Sequence, residues 1–234
     1  MFQRLVLPLL IILFTSSQVS SLELNCNYKF HTNWWAVDNI YFCEQTTSLV
    51  TTPNDIVDKI HGEHKENYGN NDVKGFRVDD KTMNYFPKGI DKFFPNLQFI
   101  AIWTTELKEI RQSDLAPFTK LRILSIWNNQ IEVLEKDLLQ FNTEIEYIGF
   151  GKNNIKFVDG KIFNHLRKLH TFHFDGNDCV SRQVAGNKHE VWDLTEEIEE
   201  RCSDCRRVND PRYHCDDSIN ETEVRVAVDA AKNE

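Results

Sequence analysis

From Val73 onward the chain falls into rows of twenty-four residues with one fixed apolar pattern. The rows read VKGFRVDDKTMNYFPKGIDKFFPN, LQFIAIWTTELKEIRQSDLAPFTK, LRILSIWNNQIEVLEKDLLQFNTE and IEYIGFGKNNIKFVDGKIFNHLRK, then a truncated LHTFHFDGNDCVS. In each full row the first, fourth, sixth, eleventh and fourteenth positions are apolar. They run from Val73, Phe76, Val78, Met83 and Phe86 to Ile145, Ile148, Phe150, Ile155 and Val158. The opening positions of each row predict a short strand, because successive strand side chains point to opposite faces. A turn and a looser return segment follow. No single row can bury its apolar side, so the rows must stack and share one core.

The pattern L-x-x-L-x-L-x-x-N-x-L in these rows resembles the leucine-rich repeat, in the 24-residue form typical of extracellular members. The resemblance covers residues 73–180, in rows starting at 73, 97, 121, 145 and 169. It implies an α/β solenoid, right-handed, with a parallel β-sheet on the concave side and a mostly irregular convex side. In this family the ninth position carries an asparagine ladder that satisfies backbone groups in the turns. Asn129, Asn153 and Asn177 match it, whereas Lys81 and Thr105 depart from it and put the first two turns in question. The third row has Asn142 where the others have Phe94, Phe118 and Leu166. Phe141 is expected to shift and fill that site.

A stack of rows has two open apolar ends and needs caps. Residues 22–72 are expected to form the first, closed by Cys26–Cys43, with 44–72 as polar loop and one short helix. Residues 181–215 are expected to form the second. There HEVWDLTEEIEERC predicts an amphipathic helix, with Val191, Leu194 and Ile198 on one face, that delivers Cys202 to Cys179. Cys205–Cys215 is then the remaining pair, although six cysteines allow about fifteen pairings. Residues 216–234 are read as a flexible acidic tail, where Asn220-Glu-Thr fits an N-glycosylation site.

The start of the chain changes the compartment. Arg4, an apolar run from Leu5 to Phe14 and small polar residues up to Ser21 follow the order of a secretory signal peptide. Residues 1–21 are taken as that signal, and the rest as a secreted, extracellular protein whose even number of cysteines forms disulfides. The formal charge is −9, and −10 once Arg4 is removed. So acidic a balance argues against nucleic acid or an anionic membrane as the main partner.

Parity also sorts the side chains of the sheet. If the fourth and sixth positions point inward, the third, fifth and seventh point onto the concave face. The third column reads Gly75, Phe99, Ile123, Tyr147, Thr171; the fifth Arg77, Ala101, Ser125, Gly149, His173; the seventh Asp79, Trp103, Trp127, Gly151, Asp175. Small residues in the middle, flanked by large apolar ones, predict a shallow aromatic trough. The rows lie about 4.8 Å apart, so Trp103 and Trp127 are expected side by side. Tryptophan and tyrosine are frequent interface anchors. The expected partner-binding residues are therefore Phe99, Trp103, Ile123, Trp127, Tyr147, His173 and Asp175. Three other outcomes stay open: a homodimer seam, a face covered by residues 44–72 or the tail, or tryptophans that merely pack on each other.

Other motifs add little. Cys202-Ser-Asp-Cys205 with His214-Cys215 has zinc-like spacing, but disulfides are favoured in a secreted chain. His61-Gly-Glu-His64 reads as a solvated loop, and RRVNDPR as a basic cluster in an acidic chain. No G-x-S-x-G, H-E-x-x-H or phosphate-loop signature occurs, so neither an enzyme nor a cofactor nor a metal is expected. The resemblance to secreted leucine-rich-repeat proteins implies a recognition module for an extracellular protein, pathogen or cell-surface ligand, innate immunity being among the roles of the wider family. The alternative is a matrix or structural protein that self-associates through the same face. An enclosed small-ligand site in the trough is disfavoured because the trough is open.

Overall fold

The computed structural model describes residues 21–32, 39–49 and 51–213. Within them the expected stack is present. Parallel strands β4 (Gly75–Asp79), β5 (Phe99–Trp103), β6 (Ile123–Trp127), β8 (Tyr147–Gly149) and β10 (Thr171–His173) each come from the start of one row. Their register joins equivalent positions: Gly75 pairs with Phe99, Phe99 with Ile123, Ile123 with Tyr147 and Tyr147 with Thr171. On the far side of the rows the chain is mostly irregular, with the short strands β7 (Val133–Leu134) and β9 (Phe157–Val158) and the four-residue helix α1 (Gln112–Leu115). The fold is that of a leucine-rich-repeat stack.

All twenty patterned apolar side chains lie in one continuous core, none more than 4 % exposed. Burial of this order stabilises each large side chain by roughly 1.5–3 kcal/mol. The turns after the strands are equally regular. The eighth residue of each row takes a left-handed conformation, with φ of 53° at Asp80, 52° at Thr104, 55° at Asn128, 51° at Lys152 and 71° at Gly176. That bend carries the ladder round the corner: the N–H groups of Asp80, Thr104, Asn128 and Lys152 each donate to the seventh residue of the next row.

The asparagine ladder follows. Asn129 Oδ1 accepts from the N–H groups of Thr105 and Leu107 at 3.0 and 3.1 Å, and its amide donates to the carbonyls of Ile102 and Trp127. Asn153 and Asn177 repeat this one and two rows on. Thr105 is not a gap in the ladder, because its hydroxyl donates to Asn129 Oδ1 at 2.9 Å. At the first row, where Lys81 stands at the ladder position, the Thr82 N–H donates to Ser48 Oγ of the preceding segment.

That segment is itself a row. Strand β2 (Ile40–Gln45) pairs in parallel with β4, Cys43 opposite Phe76. Leu49 then bridges Met83, Thr51 exchanges hydrogen bonds with Tyr85, and the Val57 N–H donates to the Lys88 carbonyl. Strand β1 (Ser21–His31) runs antiparallel to β2 and is joined to it by Cys26–Cys43. Residues 44–72 are more ordered than expected: β3 (Ile56–His61) pairs in parallel with β1 and forms one edge of the nine-stranded sheet.

At the other end β11 (Gln183–Ala185) turns back antiparallel to β10. Helix α2 (Lys188–Arg201) follows, with Asn187 Oδ1 accepting from the N–H groups of His189 and Glu190. It buries Val191, Leu194 and Ile198 against the last row and ends at the Cys179–Cys202 disulfide. Cys205 is disulfide-bonded, while Cys215, Asn220, the segment 1–20 and the tail lie outside the described residues.

Asn142 corrects an expectation. It keeps the register position, fully buried, and its amide donates to the carbonyls of Leu115 at 3.0 Å and Phe118 at 2.9 Å. Phe141 does not shift inward and stays 48 % exposed. Each of these carbonyls also accepts a backbone N–H, from Phe118 and Leu121, and the Asn142 amide gives each a second donor that a phenylalanine lacks.

Candidate functional site on the outer face of the sheet

Parity holds. Trp103 and Trp127 stand on the outer face as a register pair, half-buried and outside the core. They are not equivalent. The Trp103 Nε1–H donates to Ser125 Oγ at 2.8 Å, and the Arg77 guanidinium lies 4.7 Å from its ring centre. Arg77 is in turn ion-paired with Asp79 and lies 3.9 Å from Glu44. Trp127 carries the Lys152 ammonium 4.5 Å above its ring, and its indole N–H has no hydrogen-bond partner among the described residues. The two indoles lie side by side in register, as expected, and each carries a cation over its ring.

The third column corrects the expected trough. Phe99, Ile123 and Tyr147 do sit on the outer face, but they are 1, 3 and 4 % exposed and form a separate apolar cluster with Ile40. Gly75 leaves room for Ile40 and Phe42 beside Phe99: a Cβ there would lie 2.9 Å from Phe42 Cβ, 3.5 Å from Ile40 Cγ2 and 3.6 Å from Phe99 Cβ. The extra row thus extends the column by one large residue. The accessible part of the face is narrower than five apolar side chains suggested, and it centres on the seventh column.

The middle column is small because it must be. A Cβ at Gly149 would lie 2.9 Å from Tyr147 Oη and 3.1 Å from Ser125 Oγ. Gly151 leaves room between Trp127 Cδ1 and Asp175 Oδ1 in the same way. Two hydrogen bonds lie along this floor, Trp103 Nε1–H to Ser125 Oγ and Tyr147 Oη with His173 Nδ1 at 3.2 Å, and Ser125 and Tyr147 both border Gly149 between them. Burial pushes the Tyr147 phenol well above its ordinary pKa, and Asp175 adds to that. Burial also lowers the pKa of His173, which Asp175 partly offsets. Desolvation disfavours the charged form of both groups, so at neutral pH they form a neutral pair.

The structure brings Tyr147, His173 and Asp175 together at one end of the face, Arg77 and Asp79 at the other, and the two indoles between them. Sequence reasoning missed the cations over the rings. The signal was present: Lys152 is the eighth residue of the row after Trp127, and Arg77 the fifth of the row before Trp103. His64 also differs from expectation. It is stacked on Tyr28 at 3.9 Å, with Nδ1 3.0 Å from Tyr41 Oη and Nε2 2.9 Å from Asn70 Oδ1, so it holds the N-terminal cap together. His61 pairs with Glu23 at 2.6 Å. In the basic cluster Arg201, Arg206 and Arg212 pair with Glu197, Asp204 and Glu109, which leaves little positive charge to attract a polyanion.

Residues 119–178 match the family model for the leucine rich repeat. A search of curated proteins gave no significant match. Among solved structures the chain resembles one from the Toll–Spatzle complex of Drosophila, a complex described as a molecular hub in development and innate immunity. The likeness has 18 % sequence identity and a TM-score of 0.43, covers 53 % of this chain and spans 17 % of that one. No helix among the described residues is long and apolar enough to cross a membrane. Row, register and the family match over residues 119–178 agree on the fold: it is the one that leucine-rich repeats build.

Proposed function

We propose that this chain is a secreted, non-catalytic recognition protein that binds a protein partner through the outer face of its sheet, with Trp127 at the centre. One observation carries the reading. A partly exposed indole, its N–H without a partner among the described residues, stands on a rigid strand beside an ammonium group. Buried aromatics dominate interface energies, and a ring fixed by its neighbours loses little entropy on binding. Asp79 and Asp175 flank the indole pair as a charged rim. The signal-like start and the disulfides support an extracellular setting, and the repeat resemblance supports innate-immune or cell-surface recognition as the context.

The test is capture from extracellular fluid by immobilised wild type and by the Trp103→Ala/Trp127→Ala double variant, both checked for folding by circular dichroism. The proposal expects a protein retained by wild type and lost by the variant. Equal retention by the folded variant rejects this face.

A further inference from the structure

The rows pair a second time on the side away from the main sheet. Tyr85 bridges Glu109, and β7 pairs with β9 through Val133–Phe157 and Leu134–Val158. Between Glu109 and Val133, where the second full row meets the third, this ladder is absent among the described residues. A cleft of about 320 Å³ opens at the break. Lys108 and Ile110 line it from one row, Glu132 and Val133 from the next, and Val208 and Tyr213 from the segment that follows α2. That segment is fastened where it crosses the rows. Tyr213 meets Phe157 edge-on at 5.5 Å, and Arg212 reaches Glu109 at 3.0 Å.

The charges in the cleft are ion-paired with two exceptions among the described residues, Glu135 and Lys108. Glu109 is held by Arg111 at 2.8 Å as well as by Arg212, Glu132 by Lys156 at 2.9 Å and Asp210 by Arg212 at 2.6 Å. Glu135 accepts the N–H of Gln112 at 2.5 Å. The Lys108 ammonium lies 5.9 Å from the ring centre of Tyr85, with no acidic partner among the described residues. The site therefore combines two tyrosine rings, three aliphatic side chains and one cation without an acidic partner, with the Glu135 carboxylate taken up by a backbone N–H, in a volume at the lower end of small-ligand sites, roughly 300–1,000 Å³.

We propose that this cleft binds a carboxylate attached to an aromatic or branched apolar group, the carboxylate on Lys108 and the apolar group against Tyr85 and Tyr213. Free acids and peptide C termini share that chemistry. The site is separate from the outer face of the sheet and does not depend on the function proposed for it.

The experiment is an amide chemical-shift titration of the intact, disulfide-bonded chain with two probes, N-acetyl-L-phenylalanine and the tripeptide Gly-Gly-Phe, each compared with its C-terminal amide. Saturable shifts confined to residues near Lys108, Glu132 and Val133 are expected, with the acids binding about tenfold more tightly than the amides. The tighter of the two acids identifies the source as free or peptide-borne. Lys108 is exposed, so Lys108→Gln leaves the core intact and removes the preference for the acid. Tyr213→Ala weakens acids and amides alike. Shifts that do not saturate, that spread over the surface, or that persist unchanged in Lys108→Gln overturn the proposal.

Discussion

The Lys152 ammonium sits 4.5 Å above the ring of Trp127, and the neighbouring Trp103 spends its N–H on Ser125. Two indoles at the same position of consecutive rows therefore serve different ends. Trp103 is tied into the floor of the sheet face. Trp127 is steadied by a cation while its polar edge remains available.

Stability should separate them. Trp103→Phe removes the hydrogen bond to the buried Ser125 hydroxyl and should cost on the order of 1 kcal/mol. Trp127→Phe loses no hydrogen bond within the described residues and should stay within about 0.5 kcal/mol of wild type. Urea denaturation of the two single variants compares them directly. Equal losses would mean that the Ser125 contact has no energetic weight.

The ladder asparagines should be far more sensitive. Asn129→Leu leaves the N–H groups of Thr105 and Leu107 without their acceptor and takes the amide donor away from the carbonyls of Ile102 and Trp127, the latter keeping the Thr104 N–H. Each buried, unsatisfied group costs about 1–3 kcal/mol, so a loss of at least ~3 kcal/mol is expected in the same denaturation experiment. A change below ~1 kcal/mol would show that water satisfies the turn.

Position 142 should reverse the expectation drawn from the pattern alone. Asn142→Leu restores the apolar type found in the fourth row but forfeits two hydrogen bonds, to the carbonyls of Leu115 and Phe118. It should destabilise by roughly 2 kcal/mol, while Phe141→Ala, at an exposed site, should change stability by less than about 0.5 kcal/mol. Thermal melts of both variants decide whether register or hydrogen bonding governs the site.

Asp114 predicts a pH dependence. Burial raises its pKa from 3.8 to about 6, against the opposing hydrogen bond from the Arg111 N–H. The folded state then binds a proton more tightly than the unfolded one. This contribution therefore lowers stability above about pH 6, and the loss is recovered as pH falls through the folded pKa toward the ordinary value. Asp114→Asn keeps an acceptor for Arg111 and should remove this slope, gaining on the order of 2 kcal/mol at pH 7.5 and little at pH 4. Unfolding free energies at the two pH values check the sign.

How much of this was legible in the sequence follows from what the period encodes. Positions one, four, six, eleven and fourteen must face the core in every row, so Val73 through Val158 could be assigned by register alone, and the outward parity of Trp103 and Trp127 came with them. The extra row escaped because Cys43 pairs with Phe76 thirty-three residues on, which breaks the period. Without that row, Ile40 had no place beside Gly75, and Phe99 looked open. Asn142 was misjudged because the pattern records hydrophobicity but not the carbonyls of Leu115 and Phe118, which only the folded return segment brings within reach. The cations over the indoles were missed for a related reason. Long side chains reach across rows, and one-dimensional spacing does not say in which direction.

Binding of the captured partner by Trp127→Ala, measured by titration calorimetry beside wild type and Trp192→Ala on helix α2, tests the central claim most directly. Replacement of Trp127 should weaken binding by about thirtyfold or more, the scale of a central interface anchor, and replacement of Trp192 should leave it unchanged. Wild-type affinity in Trp127→Ala, or loss of binding in Trp192→Ala alone, would contradict the assignment and place the contact surface elsewhere on the molecule.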